Sequence, residues 1–260
     1  MSSGAALTEC YRYRGVLYHL LARDLKVKYK RTALGYFWSL LNPVLQLAVL
    51  AVVFSHIVGR GMENYTQFLF SGLLAWTFFQ SSLLAASRSL LEAESFIKKI
   101  YLPKLIFPLS KLCLRAIDFL FALVALSLIG VVAGFVVYPT FVLLPLAVIL
   151  LFFFTLGLGL FVAVATVYFR DVEYLLNVFL QLLYFATPVL YPVSALPVSY
   201  HPFLKINPLY SITNLFQQIL YFGRWPSPIE WLAAVGVTLA SLVLGITVLL
   251  KLEEDLVFRL

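Results

Sequence analysis

Residues 21–59 read LARDLKVKYKRTALGYFWSLLNPVLQLAVLAVVFSHIVG, a basic block followed at once by a run that carries no charge. The uncharged run, Thr32–Gly59, exceeds the ~20 apolar residues that cross the hydrocarbon of a bilayer. Asn42, Pro43 and Gln46 interrupt its apolar character. The stretch therefore predicts a membrane-spanning helix whose basic flank sets its orientation and whose polar residues serve something other than lipid contact.

The rest of the chain repeats this pattern of long uncharged runs. Apolar residues make up 62% of the sequence and charged residues 12%, against about 25% charged residues in a typical soluble domain. Helices satisfy their own backbone hydrogen bonds in lipid, so we predict an all-α integral membrane protein. Its six predicted spans are residues 36–58, 67–87, 114–137, 141–168, 174–192 and 230–250.

Lysine and arginine fall mainly on one side of these predicted spans. Of the 19 such residues, 16 lie in segments 1–35, 88–115, 169–173 and 251–260. Positive residues stay preferentially in the cytoplasm, so both termini are predicted to be cytoplasmic and the net charge of +7 requires no nucleic-acid partner. The predicted parts are a cytoplasmic N-terminus (1–35), a six-span domain (36–250) and a cytoplasmic tail (251–260).

The segment Tyr11–Arg31 predicts an amphipathic helix that lies along the membrane surface. Apolar residues recur at helical spacing on one face, and lysines and arginines occupy another. Such a helix places its basic side toward anionic lipid headgroups. It is either a topology anchor alone or an interface helix that also contacts a cytoplasmic partner.

The predicted cytoplasmic loop 88–114 contains the sequence EAESFIKKIYLPKLIFPLSK. Acidic residues near its start and basic residues after them predict a short helix over roughly 92–101, which Pro103 stops. An ordinary charged turn is the alternative. The residues that distinguish a docking helix from such a turn are Glu92, Glu94, Phe96, Ile97, Lys98 and Lys99, with Phe96 and Ile97 predicted to be exposed.

The region 193–227, between the fifth and sixth predicted spans, is rich in proline and aromatic residues. Its segments Val193–Tyr200 and Leu209–Phe222 are too short to cross a bilayer and too apolar for a solvated loop. We predict that they enter the outer face of the membrane and return, beside protein or a water-filled cavity. This makes the region a candidate outer gate.

Motifs for catalysis, nucleotide binding and metal binding are absent from the sequence. It contains no G-x-x-x-x-G-K-[ST] motif, so we expect no ATP site on this chain. The three histidines are scattered without metal-ligand spacing. Arg115 and Asp118 are three residues apart and are predicted to form a structural ion pair on one helix face. Ion-coupled carriers normally bring more ionisable groups into their spans, so that class remains only a remote alternative.

Five segments together resemble the membrane subunits of bacterial polysaccharide-export ABC transporters of the type-2 exporter superfamily. They are ARDLKVKYKRTALGYFWSLLNPVLQ, SFIKKIYLPKLIFPLSK, TVYFRDVEYLLN, TPVLYPVSALP and INPLYSI, in this order. The resemblance implies a homodimer in the bacterial inner membrane, bound to two copies of a separate ATPase that carries the ATP and Mg²⁺. It also implies that Tyr11–Arg31 is the interface helix, that 94–101 is the coupling helix on the ATPase, and that 193–222 forms the gate helices.

Polar and aromatic residues in the predicted spans are candidates for the path of the transported glycan. Aromatic rings offer apolar contact to sugar C–H faces, and the sequence holds 4 Trp, 15 Tyr and 23 Phe. For any single aromatic, packing in the core or an interfacial belt is the alternative, and the amides are alternatively interhelical hydrogen-bond partners. The candidates are Tyr36, Trp38, Asn42, Gln46, Trp76, Phe79, Tyr184 and Tyr191.

The function that the resemblance implies is ATP-driven export of a lipid-linked cell-envelope polysaccharide, with O-antigen as the first choice. Teichoic acid and capsular polysaccharide are the close alternatives, because the five segments do not separate these substrates. Membrane lipids and the lipid-linked glycan are the remaining expected partners.

Overall fold

The computed structural model describes residues 12–30, 35, 37–55, 62–132 and 134–260. Regular secondary structure in these residues is entirely helical, as predicted. The α-helices are α1 (Arg14–Tyr29), α2 (Phe37–Ser55), α3 (Tyr65–Glu92), α4 (Glu94–Ile97), α5 (Ile106–Val132), α6 (Leu144–Tyr168), α7 (Val172–Ala186), α8 (His201–Ile206), α9 (Pro208–Gln217) and α10 (Pro228–Arg259). Short 3₁₀ turns lie at Pro139–Leu143, Val193–Ala195 and Val198–Tyr200, and a π-helical turn lies at Gln218–Phe222.

Four helices in the described part of the chain are long and apolar enough to cross a membrane. They cover Phe37–Phe54, Tyr65–Glu92, Pro139–Tyr168 and Pro228–Glu253, and match the first, second, fourth and sixth predicted spans. The apolar helix α7 has 15 residues, or about 22 Å at the usual helical rise. α5 has 27 residues but carries three charged side chains in its first half. The structure thus confirms an all-helical membrane protein, and the number six stays a prediction.

α3 lies at the centre of the helix bundle. It packs against α2, α5, α6, α7 and α9, and both Phe68 and Phe79 on it are fully buried. The ring of Phe79 stacks on that of Phe154 from α6, with 5.6 Å between centroids. Offset aromatic pairs of this kind stabilise the contact between α3 and α6 beyond the area they bury.

The contact between α6 and α10 depends on two glycines. A Cβ atom at Gly245 would lie 2.0 Å from the carbonyl oxygen of Gly157, and one at Gly157 would lie 2.3 Å from the carbonyl carbon of Ser241. Small residues allow membrane helices to approach backbone to backbone, where packing rather than water exclusion holds them together. These positions therefore fix how α10 lies along α6.

One end of the bundle, which we call the basic end, is formed by α1, the end of α3, α4, the start of α5 and the end of α10. A separate apolar cluster joins these elements and includes Leu20, Ile97, Ile106 and Leu256, all buried. Residues 251–259 of the predicted tail continue α10, which reaches Arg259 and packs into this cluster, and the division of the chain into three parts stays a prediction. The third predicted span also begins earlier than expected, since a proline in the first turn is compatible with a helix and α5 starts at Ile106.

The opposite end of the bundle is formed by the start of α3 together with residues 187–222. Here Ile212 and Phe216 of α9 are fully buried, so α9 packs inside the bundle. The 3₁₀ turns at Val193–Ala195 and Val198–Tyr200 contain no buried residue, and the entry of these segments into the membrane stays a prediction. Gly223 ends the π-helical turn with φ +59°, where a Cβ would lie 2.3 Å from the ring of Tyr138. Whether this end acts as a gate stays a prediction.

Candidate functional site

A cavity of about 450 Å³ lies between α1, α2, α3 and α5. Its walls carry amides, hydroxyls and charged groups together with aromatic rings. This combination suits a ligand with many hydroxyl groups, because amides and hydroxyls can both donate and accept hydrogen bonds. The lining residues are Lys28, Trp38, Ser39, Asn42, Pro43, Gln46, Thr77, Phe78, Gln80, Ser81, Leu84, Arg115, Asp118, Phe119 and Ala122.

Three of the predicted path residues line this cavity together. Trp38, Asn42 and Gln46 recur every four residues on α2, a spacing that places side chains on one helix face. All three are exposed in the single chain. Across the cavity, Gln80 of α3 accepts a hydrogen bond of 3.0 Å from the indole nitrogen of Trp76. The polar residues that interrupt the first apolar run therefore line a cavity.

Four other path candidates among the described residues do not line this cavity. Trp76 and Phe79 are each 2% exposed and belong to the apolar core, which is the alternative that the sequence leaves open for single aromatics. The Tyr184 ring lies 5.0 Å from that of Trp76. Tyr191 donates a hydrogen bond of 2.7 Å to the carbonyl of Phe185. Tyr36 lies outside the described residues.

A cluster of charged groups lies where α1 reaches the cavity. Arg115 Nη1 is 3.4 Å from Asp118 Oδ2, the geometry of the predicted ion pair. Asp118 also accepts a hydrogen bond of 3.1 Å from Ser39 and pairs with Lys28 of α1. The contact between Lys28 and Asp118 joins residues 90 positions apart and was not predicted from the sequence. The described cluster thus holds two cations around one carboxylate.

The predicted coupling segment is shorter than expected and presents only part of its apolar surface. α3 continues to Glu92, and α4 covers Glu94–Ile97, so the predicted helix over 92–101 is wrong in its bounds. Phe96 is 39% exposed, but Ile97 is 9% exposed and belongs to the apolar cluster of the basic end. The prediction that both are exposed is therefore wrong for Ile97, because consecutive residues on a helix point in different directions.

Charged residues of the coupling segment divide into a pair within the segment and a junction with α1 and α5. Lys98 donates to Glu94 at 2.6 Å, and about half of each side chain is exposed. Lys99 is also exposed. In contrast, Glu92 lies 2.8 Å from Lys111 of α5, and the same ammonium donates at 2.9 Å to Asp24 of α1.

Asp24 is the acidic member of this junction on α1. Burial raises the pKa of its carboxyl, but hydrogen bonds from Lys111 and Arg23 outweigh burial and hold the pKa below the ordinary value of 3.8. The carboxylate is therefore charged at neutral pH. Arg23 also lies over the Phe96 ring, 5.5 Å from its centroid, so α1 touches the coupling segment directly. The alternating charges of Asp24 and Lys28, one helical turn apart, were the available sequence signal for this arrangement.

Comparison with known proteins gives consistent matches over nearly the whole chain. Residues 16–221 match the family described as ABC-2 type transporter. The chain is 33% identical over 237 residues to the O-antigen export system permease protein RfbA of Myxococcus xanthus, covering 89% of this chain and 90% of that protein. It is 30% identical over 214 residues to the protein of the same name from Klebsiella pneumoniae, covering 80% and 83%. It is also 26% identical over 242 residues to the polysialic acid transport protein KpsM of Escherichia coli, covering 90% and 92%.

These matches agree with the resemblance found in the sequence and with the all-helical structure. The family match covers most of the chain, and the match to the Myxococcus protein extends over almost all of both sequences. The chain therefore belongs to the ABC-2 type transporter family.

Proposed function

We propose that this chain is the membrane subunit of an ATP-driven exporter that moves a lipid-linked cell-envelope polysaccharide, with O-antigen as the substrate class, across the bacterial inner membrane. The observation that carries the proposal is the 33% identity to an O-antigen export permease over 89% of the chain. The polar cavity beside α2 supports it, because a hydroxyl-rich polymer needs hydrogen-bonding groups within the membrane.

The proposed topology has six spans with both termini in the cytoplasm. The four long apolar helices supply four of them, and α5 and α7 would supply the other two. α5 crosses with its charged first half at the basic end, where Lys111 and Arg115 can reach headgroups. By the positive-inside rule the segments that hold 16 of the 19 Lys and Arg residues would lie in the cytoplasm, and the described elements of the basic end belong to these segments.

In this proposal the cavity is part of the glycan path. Asn42 and Gln46 would exchange hydrogen bonds with sugar hydroxyls, and Trp38 would contact the C–H faces of the rings. Trp76 and Phe79 would support the path from behind, since both are buried against the helices that form it. A second copy of the chain would complete the path, because the three residues on α2 are exposed in the single chain.

Energy would come from a separate ATPase bound at the basic end. The chain itself contains no P-loop, so ATP and Mg²⁺ belong to the partner in this proposal. The exposed Phe96, with Glu94 and Lys98 beside it, is the contact we assign to the ATPase. Two copies of each subunit would form the complete exporter.

A capsular polysaccharide is the second candidate substrate. The match to the polysialic acid transport protein KpsM over 90% of this chain favours it. Its lower identity of 26% ranks it after O-antigen. The two substrates would use the same cavity, because both are long hydroxyl-rich polymers.

Complementation tests the proposed function. A Gram-negative strain that lacks its O-antigen permease would receive this chain together with its ATPase, and surface O-antigen would be measured with antibodies on intact cells. We expect restored surface antigen, and a fall of about tenfold or more for the variant Asn42→Leu/Gln46→Leu, which removes the two amides of α2 from the cavity wall. The control Val49→Leu changes an exposed position of α2 outside the cavity and keeps full export. Absence of surface antigen, with both subunits present in the membrane, would contradict the proposal.

A further inference from the structure

α1 and α5 face each other with charges in alternating order. Asp24 and Lys28 lie four residues apart on α1, and Lys111 and Asp118 lie seven apart on α5, so each pair shares one helix face. Lys111 donates to Asp24 at 2.9 Å, and Lys28 pairs with Asp118. The order is therefore negative then positive on α1, against positive then negative on α5.

This charge ladder permits one register between the two helices. Sliding α1 along α5 to the neighbouring site would bring Asp24 toward Asp118, or Lys28 toward Lys111. Asp24 and Lys111 are 13% and 19% exposed at their side chains, so water screens like charges there only partly. Partly buried ion pairs are best suited to fixing a register in this way.

The same helix joins the coupling segment to the cavity. Asp24 of α1 and Glu92 both pair with the ammonium of Lys111. Glu92 is the last residue of α3, and α4 begins two residues later. The guanidinium of Arg23 lies over the ring of Phe96 on α4, 5.5 Å from its centroid. One turn further along, Lys28 lies in the cavity wall. A displacement of α4 therefore acts on a rigid helix whose next turn borders the cavity.

We propose that α1 is the lever of the exporter: the Asp24–Lys111–Glu92 junction holds it to the coupling segment, and the Lys28–Asp118 pair is the latch that holds it over the cavity. This inference rests on the proposed function. It makes Asp24, Lys28 and Lys111 positioning residues, which transmit motion of the ATPase to the path without touching ATP.

The contacts of Asp118 explain how the latch can open and close. When Lys28 moves away, Asp118 keeps Arg115 at 3.4 Å and the hydroxyl of Ser39 at 3.1 Å. The carboxylate is then not left buried without a partner, which is what makes the breaking of a buried ion pair so unfavourable. The closed and open positions thus differ by one ion pair, as a reversible step requires.

A charge exchange within α1 tests the lever. The variant Asp24→Lys/Lys28→Asp keeps the composition and net charge of the helix but places like charges opposite Lys111 and Asp118. We expect ATP hydrolysis by the purified complex to stay within about twofold of wild type, while export falls about tenfold or more, because the register that couples the two is lost. The matched control Lys251→Asp/Asp255→Lys exchanges two exposed charges at the same spacing on α10 and is expected to export normally.

A second variant, Asp24→Asn/Lys28→Met, removes the ladder without like-charge contacts. The same split, with hydrolysis retained and export reduced, supports the lever. Normal export by this variant or by the charge exchange overturns it. If the wild-type complex fails to export, the proposed function is wrong. If wild type exports and either α1 variant exports as well as wild type, only the lever is wrong.

Discussion

The basic end and the opposite end of the bundle are both built from segments outside the long helices, but they are held by different chemistry. At the basic end, ion pairs such as Asp24–Lys111 and Glu92–Lys111 join α1 and the end of α3 to α5, beside the apolar cluster. At the opposite end, neutral side chains bind backbone carbonyls. Gln67 donates to the carbonyls of Val136 and Leu220 at 2.8 and 2.7 Å and accepts from the Val136 amide at 3.0 Å.

This difference follows from what each end must satisfy. Short helices and turns inside an apolar bundle leave backbone groups without helical partners, and neutral amides satisfy them without the desolvation that a charge incurs. Ion pairs suit a region near headgroups and water, where they can part and form again. We therefore expect the opposite end to be rigid and the basic end to be adjustable, as the proposed coupling to an ATPase requires.

The largest expected effect is the loss of the Gln67 amide. Gln67→Leu removes three hydrogen bonds at once, one to the carbonyl of the buried Leu220 and two to the carbonyl and amide of Val136, so we expect a loss of about 3–6 kcal/mol in the free energy of unfolding. Thermal unfolding of the purified protein in detergent measures it. Gln181→Leu changes an exposed glutamine of α7 and serves as the control. If Gln67→Leu unfolds at the same temperature as Gln181→Leu, the neutral hydrogen bonds of Gln67 do not hold the opposite end, and the comparison of the two ends is wrong.

Two neighbouring substitutions separate folding from docking at the basic end. Ile97→Asp places a charge in the apolar cluster and is expected to lower the free energy of unfolding by about 3 kcal/mol. Phe96→Asp changes an exposed ring and is expected to leave unfolding nearly unchanged while reducing co-purification of the ATPase. Equal losses of stability in both variants would show that Phe96 is part of the fold rather than of the docking surface.

Lys111→Met is expected to have a smaller effect that depends on salt. It removes the shared partner of Asp24 and Glu92 and should lower the free energy of unfolding by about 1–3 kcal/mol. The difference in the free energy of unfolding between Lys111→Met and wild type should become smaller in about 1 M salt, where charges are screened beyond a few ångströms. Gln67→Leu should show no such narrowing, because it removes neutral hydrogen bonds. The same salt response in both variants would contradict the comparison.

Acid should affect the basic end through Asp24, with the smallest expected change. The pKa of Asp24 lies below 3.8 in the folded protein, so its stabilising contribution is fully present above that value and is lost as the pH falls through the lower, folded pKa. Asp24→Asn should therefore be less stable than wild type at pH 6, and the difference should vanish in strong acid. Unfolding curves of the variant and of wild type, recorded at pH 6 and in strong acid, measure this difference in stability. A difference that persists unchanged in acid would mean that the carboxylate charge does not hold α1.

The helices could be predicted from the sequence more reliably than their ends. Uncharged runs locate the part of a helix that meets lipid, but the helix continues wherever propensity and packing allow. α10 therefore runs to Arg259, beyond the predicted end at 250, because Leu256 is buried in the cluster of the basic end. α5 likewise begins at Ile106 rather than 114.

The candidate site could be predicted only where its residues are close in sequence. The shared face of Trp38, Asn42 and Gln46 follows from helical spacing, and so does the Arg115–Asp118 contact. The Lys28–Asp118 pair depends on how α1 folds back against α5, which no local pattern specifies. Composition also could not distinguish a buried ring such as Trp76 from one that lines a path, because both occur in apolar helices.

Transport into inverted membrane vesicles tests the central claim most directly. Vesicles that contain the chain and its ATPase, with the cytoplasmic face outward, would receive lipid-linked O-antigen and ATP, and glycan protected from added glycosidase would be measured. The account predicts protected glycan that accumulates only with ATP and only when both subunits are present, and that falls sharply for Asn42→Leu/Gln46→Leu. Equal accumulation without ATP, or none with both subunits and substrate in place, would contradict it.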